Sequence, residues 1–133
     1  MLRVSVMNVQ NQRIFLKWMR LGTLFIAFCM ALYIGTRYEV LTLPRDGCSP
    51  VGRYSPGTRV LVDRRPPFWA VGDCVFVESP DGLVHMVLLG SRNEEGAFWT
   101  ETDMPDCPGV EAEILGWVKP GELLGRIVMG IGH

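Results

Sequence analysis

The chain is expected to fold as a mainly β protein, with one N-terminal transmembrane helix followed by a small β-rich sheet or barrel domain. Three observations carry this expectation. Between Arg20 and Arg37 runs LGTLFIAFCMALYIGT, a stretch without a single charge. Downstream, short runs rich in Val, Leu and aromatic residues alternate with turn clusters and show no helical periodicity between them. Gly and Pro number 15 and 9 in 133 residues, high for a helical chain and ordinary for one with many turns.

The uncharged stretch is slightly shorter than the ~20 residues that cross a hydrocarbon core. Trp18 and Tyr38 flank it as interfacial aromatics, and Arg20 and Arg37 can snorkel toward headgroups. No small-x-small cleavage site follows, as a removed signal peptide requires, and no polar stripe marks a soluble core helix. The expected organisation is a cytoplasmic tail over 1–19, a single retained anchor over 20–37 and a β domain over 38–133. Residues 1–14 read as a weakly ordered or surface-lying tail. Arg3, Arg13, Lys17 and Arg20 precede the span with no Asp or Glu among them, whereas signs mix after it. The positive-inside rule then keeps the N-terminus cytoplasmic and places the β domain in a periplasm, lumen or extracellular space.

Length and charge narrow the function classes. Residues 38–133 suffice for one compact domain. A formal net charge of −1 argues against a nucleic-acid partner. Of four cysteines, Cys29 lies in the span, and Cys48, Cys74 and Cys107 face an oxidising side, where one disulfide and one free thiol are compatible with the count. No CxxC and no Cys/His cluster has metal spacing, so neither metal nor cofactor is expected.

The expected strands are Tyr38–Leu43, Arg59–Asp63, Cys74–Glu78, Leu83–Leu89, Ala97–Glu101, Glu113–Val118 and Leu123–Met129. PRDG, SPG, RRPP, SPDG, RNEEG and MPDCPG punctuate them.

Three features carry chemistry. Cys48 and Ser49 follow a turn-forming Asp46-Gly, and Pro50 and Gly52 restrict the backbone beyond them. A nucleophile needs such an exposed turn with backbone N–H groups near an oxyanion, although the plain reading is a loop between strands. His85, in Leu83-Val-His-Met-Val, shares a strand face with Leu83 and Val87, so its ring points to an apolar side. A lone histidine there is commonly a satisfied core residue, and beside a hydroxyl or thiol it is a general base. Asp103 and Asp106 are the acids available to orient that ring, or ordinary turn formers.

In order and spacing these motifs resemble the signal peptidase I clan, membrane-anchored endopeptidases with a β-rich catalytic domain. Ser55-Pro-Gly-Thr-Arg-Val-Leu-Val is similar to the clan's x-P-G-D-x-V-x-V, and Gly72-Asp-Cys-Val-Phe-Val to its G-D-x-V-x-F strand. Leu83-Val-His-Met-Val resembles the V-H-R-V strand of archaeal and endoplasmic-reticulum members. Thr100-Glu-Thr-Asp103 resembles their T-K-G-D, and Leu123-Leu-Gly-Arg-Ile-Val the terminal G-R strand. Two registers compete at the nucleophile: counting back from Gly57 selects Ser49, and likeness to the S-L-P-V-G-L-Y of conjugative-transfer pilin peptidases selects Cys48. The lysine base of bacterial members is absent, Lys119 being the only lysine after the span, and the Asp-Ser-Arg element before the last strands is missing.

The resemblance implies an endopeptidase that cleaves precursor proteins or propilins at the bilayer surface. His85 would activate Ser49 or Cys48, backbone N–H groups around 48–49 would hold the oxyanion, and Asp103 or Asp106 would orient the ring. The alternatives are a catalytically degenerate relative acting as an accessory subunit of a membrane complex, and a plain anchored β domain that binds proteins.

Overall fold

A computed structural model describes residues 9–45, 49–104 and 115–132. The chain divides into two units, Met1–Thr36 and Arg37–His133. In the first, α1 (Val9–Arg37) is a 29-residue helix with no buried residue. It is long and apolar enough to cross a membrane, a criterion that a signal sequence near an N-terminus also meets. The helix starts well before Leu21, so the part of the expected tail from Val9 onward is helical. The reason is local: residues 9–20 contain no Gly or Pro and are rich in Gln, Leu, Lys, Arg and Met, all good helix formers.

The second unit is one curled antiparallel sheet of seven strands in the order β1-β2-β7-β3-β4-β5-β6. The strands are β1 (Tyr38–Thr42), β2 (Arg59–Asp63), β3 (Cys74–Glu78), β4 (Val84–Arg92), β5 (Phe98–Glu101), β6 (Trp117–Val118) and β7 (Leu123–Gly132), with a 3-10 turn η1 (Pro120–Glu122) before the last. All seven lie within or overlap the expected runs. The sequence order is broken once: β7 inserts between β2 and β3, pairing antiparallel with both.

Two apolar clusters cover the two faces of the sheet. Strand alternation assigns residues to them, since successive side chains point to opposite sides. Cys74 and Met86 belong to the first cluster, with Leu43, Val51, Tyr54, Val60, Val62 and Ile127. Val75, Val77, Val87 and Leu89 belong to the second, with Phe98, Val118 and Leu123. Burying one such side chain contributes about 1.5–3 kcal/mol. At the far end of the sheet the indoles of Trp99 and Trp117, cross-strand partners, meet edge-on at 5.4 Å and 66°, an arrangement that adds about 0.5–1.5 kcal/mol.

Two positions constrain the sheet further. Asp63, 2% exposed at the end of β2, accepts hydrogen bonds from Arg37 Nε at 3.0 Å and Arg37 Nη2 at 2.8 Å, and from the Arg65 backbone N–H at 3.0 Å. The guanidinium holds its carboxyl below the usual carboxylate range, against the opposing effect of burial. Gly125 in β7 lies so close to β2 that a Cβ there would meet Val62 Cγ1 at 2.6 Å and the Asp63 carbonyl oxygen at 3.3 Å.

Two outcomes are expected. Asp63→Asn should cost roughly 2–3 kcal/mol, because it removes a bidentate charge-assisted pair and leaves Arg37 without its carboxylate. A folded pKa below the unfolded value of ~3.9 means that the carboxylate stabilises fully above that value and loses its contribution as pH falls through the folded one. The wild-type-to-variant gap in urea unfolding should therefore shrink on acidification, and a gap constant with pH refutes the assignment. Gly125→Ala should destabilise by about 1–3 kcal/mol through the clash with Val62. Val62→Ala in the same chain should recover part of that loss in a double-mutant cycle.

Candidate functional site

The β3–β4 hairpin sets the surroundings of His85. Its loop is Ser79-Pro-Asp-Gly-Leu83, closed by Ser79 N–H to Leu83 O at 2.8 Å and Gly82 N–H to Ser79 O at 2.9 Å. Pro80 presets the first turn position, and Gly82 takes φ +82°, as a three-residue hairpin loop requires. The register pairs Val77 with His85 and Val75 with Val87, so these four share one face, that of the second cluster.

His85 therefore meets Ser79. Its Nε2 lies 3.2 Å from Ser79 Oγ. Ser79 is 4% exposed, and its hydroxyl has two further neighbours, Asp81 Oδ1 and the Leu83 carbonyl oxygen at 3.1 Å. Both of those are pure acceptors, and a hydroxyl has one hydrogen to give. Which of the three partners takes that hydrogen, and whether the ring nitrogen donates to Ser79 Oγ or accepts from it, follows the histidine tautomer. The Ser79 hydrogen bond holds the Asp81 carboxyl below the usual carboxylate range. The Asp81–Ser79–His85 chain is a hydrogen-bonded turn.

The expected nucleophile loop lies elsewhere. Val51, fully buried, and Tyr54 place residues 49–54 in the first cluster, with Met86 and Cys74. Ser49 Oγ donates to the Val51 carbonyl oxygen at 2.8 Å, a local turn bond. The Pro50 carbonyl accepts the backbone N–H groups of Asp103 at 3.1 Å and Met104 at 3.3 Å. The structure thus brings the Ser49–Pro50 loop and Asp103 together and leaves His85 apart, on the opposite face of β4. Cys48 and Asp106 lie outside the described residues. Where the sequence reading expected His85 beside Ser49, the residue of β4 that packs with the loop in the first cluster is Met86, 7% exposed and without a titratable group.

Sequence reasoning missed Ser79 and Asp81 as the partners of His85. A signal was available: in Ser-Pro-Asp-Gly, serine and aspartate two apart at a turn commonly bond side chain to side chain or to backbone. It also missed Met86, although His85 and Val87 on one face necessarily put residue 86 on the other.

Among the remaining thiols, Cys74 is free and buried beneath the 49–54 loop. Burial pushes its thiol up to about 12, with Asp103 and Asp73 adding to the effect and Arg53 opposing it. Burial also raises Tyr54, its neighbour in the first cluster. A thiol held in that state is a packing group and not a nucleophile. In the intact chain in micelles, iodoacetamide near neutral pH should leave Cys74 unmodified in peptide mass spectra, and unfolding in guanidinium should expose it. Rapid native labelling of Cys74 would contradict this burial.

No protein family, no curated protein and no solved structure matches this chain.

Proposed function

We propose that this chain is a membrane-anchored, signal-peptidase-like β domain without a working Ser49–His85 dyad, acting as an accessory subunit that holds extended polypeptide segments at a membrane surface. The observation that carries the reading is the side-chain alternation of β4, which turns Met86, and not His85, toward the loop containing Ser49. An acyl-transfer enzyme needs a proton acceptor there, and a thioether is none.

A groove supports the holding role. About 350 Å³ in volume, it runs along Leu41, Val62, Phe76, Val84 and Leu124, with Glu39 and Arg64 at its rim. Its apolar lining suits the side chains of an extended segment. In this reading α1 is the retained anchor, the basic residues before Leu21 keep the N-terminus cytoplasmic, and residues 38–133 lie on the other side. Tethering partner and domain in one plane raises their effective concentration.

A second reading, that of a serine or cysteine endopeptidase, is favoured by one contact. Asp103 and Met104 anchor the Pro50 carbonyl, so an acid stands beside the loop that carries both candidate nucleophiles. A cleavage assay in membranes, with a tethered precursor as substrate, separates the two. The accessory reading expects no product above the membrane-only background from wild type, Ser49→Ala, Cys48→Ala and His85→Ala alike. It also expects a photoreactive residue at position 76 or 84 to cross-link a membrane-bound polypeptide. Cleavage by the wild type that disappears in Ser49→Ala or Cys48→Ala overturns the proposal in favour of the peptidase.

A further inference from the structure

Within a few residues of the end of α1, one face of the sheet is apolar and open to solvent. Cross-strand pairing sets Val40 of β1 opposite Leu61 of β2, and Leu61 opposite Met129 of β7. Directly opposed side chains share a face, so these three form one apolar row, in which Val40 is 55% and Met129 54% exposed. The face is the reverse of the one where the first cluster buries Val60 and Val62. The same register sets the rows on either side. On one side Thr42 pairs with Arg59, which is exposed and has no ion-pair partner among the described residues. On the other, Tyr38 pairs with Asp63 and Asp63 with Arg126. Asp63 is the one carboxylate among these paired residues, and Arg37 neutralises it. The Arg126 guanidinium lies over the ring of Phe68, 5.7 Å from its centroid, and Phe68 is 65% exposed.

We propose that this face rests on the surface of an anionic lipid bilayer, with Val40, Leu61, Met129 and Phe68 at the headgroup boundary and Arg59 on a lipid phosphate. The inference rests on the reading of α1 as an anchor in that same bilayer. Chain continuity argues for lipid as the occupant. Arg37 closes α1, and Val40 follows three residues later, a reach of at most ~10 Å in extended chain. The polar zone on each side of the hydrocarbon core is about 5–7 Å deep, so β1 begins within it. Charge complementarity argues the same way, since an anionic headgroup supplies the counter-charge that Arg59 lacks. An isologous second copy would bring another Arg59 to this face and no counter-charge. The groove along Leu41, Val62 and Phe76 lies on the opposite face and stays free for a polypeptide.

The test uses the full chain with isotope-labelled methionine methyl groups, one chain per phosphatidylcholine–phosphatidylglycerol nanodisc. Met129→Leu, Met30→Leu and Met104→Leu assign the three resonances. A phospholipid with a doxyl group near the top of its acyl chain should broaden Met129 and also Met30, which lies in α1. It should spare Met104, which is exposed next to the Pro50 loop. A soluble gadolinium chelate should do the reverse. Val40→Glu, at an exposed position of a terminal strand, should make Met129 respond like Met104 and leave Met30 unchanged. Arg59→Gln should lower the docked-to-undocked ratio about fivefold, the ~1 kcal/mol that a basic residue contributes at an anionic surface. In discs of phosphatidylcholine alone it should have no effect. A Met30 methyl that the doxyl lipid spares refutes the anchor reading and this proposal with it. With Met30 broadened, the proposal alone is overturned if Met129 responds like Met104 in the wild type, or if either variant leaves the anionic discs unchanged. Shielding of Met129 only in discs holding two chains overturns it in favour of a second copy.

Discussion

In a pleated strand adjacent residues cannot share a face, and at β4 this rule decides which side chain packs with the Ser49 loop. His85 pairs with Val77 and Met86 with Phe76, so the only histidine in the described part of the chain goes to the second cluster and a methionine goes to the first. Shifting β4 by one residue would exchange them, but it would also take Val87 and Leu89 out of the second cluster and turn the His85 ring into the first. Eight buried residues in one cluster and seven in the other hold the register against that slip. The position of a potential base is thus a by-product of core packing.

The polar groups near both candidate positions are already engaged in local structure. Ser49 bonds to the Val51 carbonyl two residues on, and Ser79 to Asp81, Leu83 and His85 within one hairpin. Hydroxyls that close turns keep their hydrogens occupied and their oxygens oriented toward the backbone. Catalytic hydroxyls need the opposite, an oxygen aimed outward with its hydrogen directed at a base. Cys74 shows the same logic for a thiol, which burial keeps protonated beneath Val51 and Tyr54.

Electrostatics within the β domain follow a similar economy. The charges that are out of water are paired: Arg37 with Asp63, and Arg126 with Asp73 at 3.4 Å. Both pairs tie β-sheet residues to segments flanking the sheet, and Arg126 also donates to the Phe68 carbonyl oxygen at 3.3 Å.

Much of the architecture was legible in the residues alone. The charge-free run between Arg20 and Arg37 marks a membrane-competent helix because so long an apolar stretch has few other physical uses. Alternating Val-rich runs and Gly/Pro turns mark the strands, since β-branched residues fit a pleated surface and positive-φ turns need glycine. The helix start at Val9 was less legible, because good helix formers extend the element beyond its apolar core. The candidate site was legible only as a set of residue types. Whether Ser49 meets His85 depends on which face each strand presents and on β7 inserting between β2 and β3, which are properties of long-range pairing. The sequence by itself determined an apolar helix, seven strands and their turns, because these rest on local preference and period. Only the tertiary structure decided that His85 serves a hairpin turn and that Met86 faces the Ser49 loop, because two clusters packed on opposite sides of one sheet allow no other assignment.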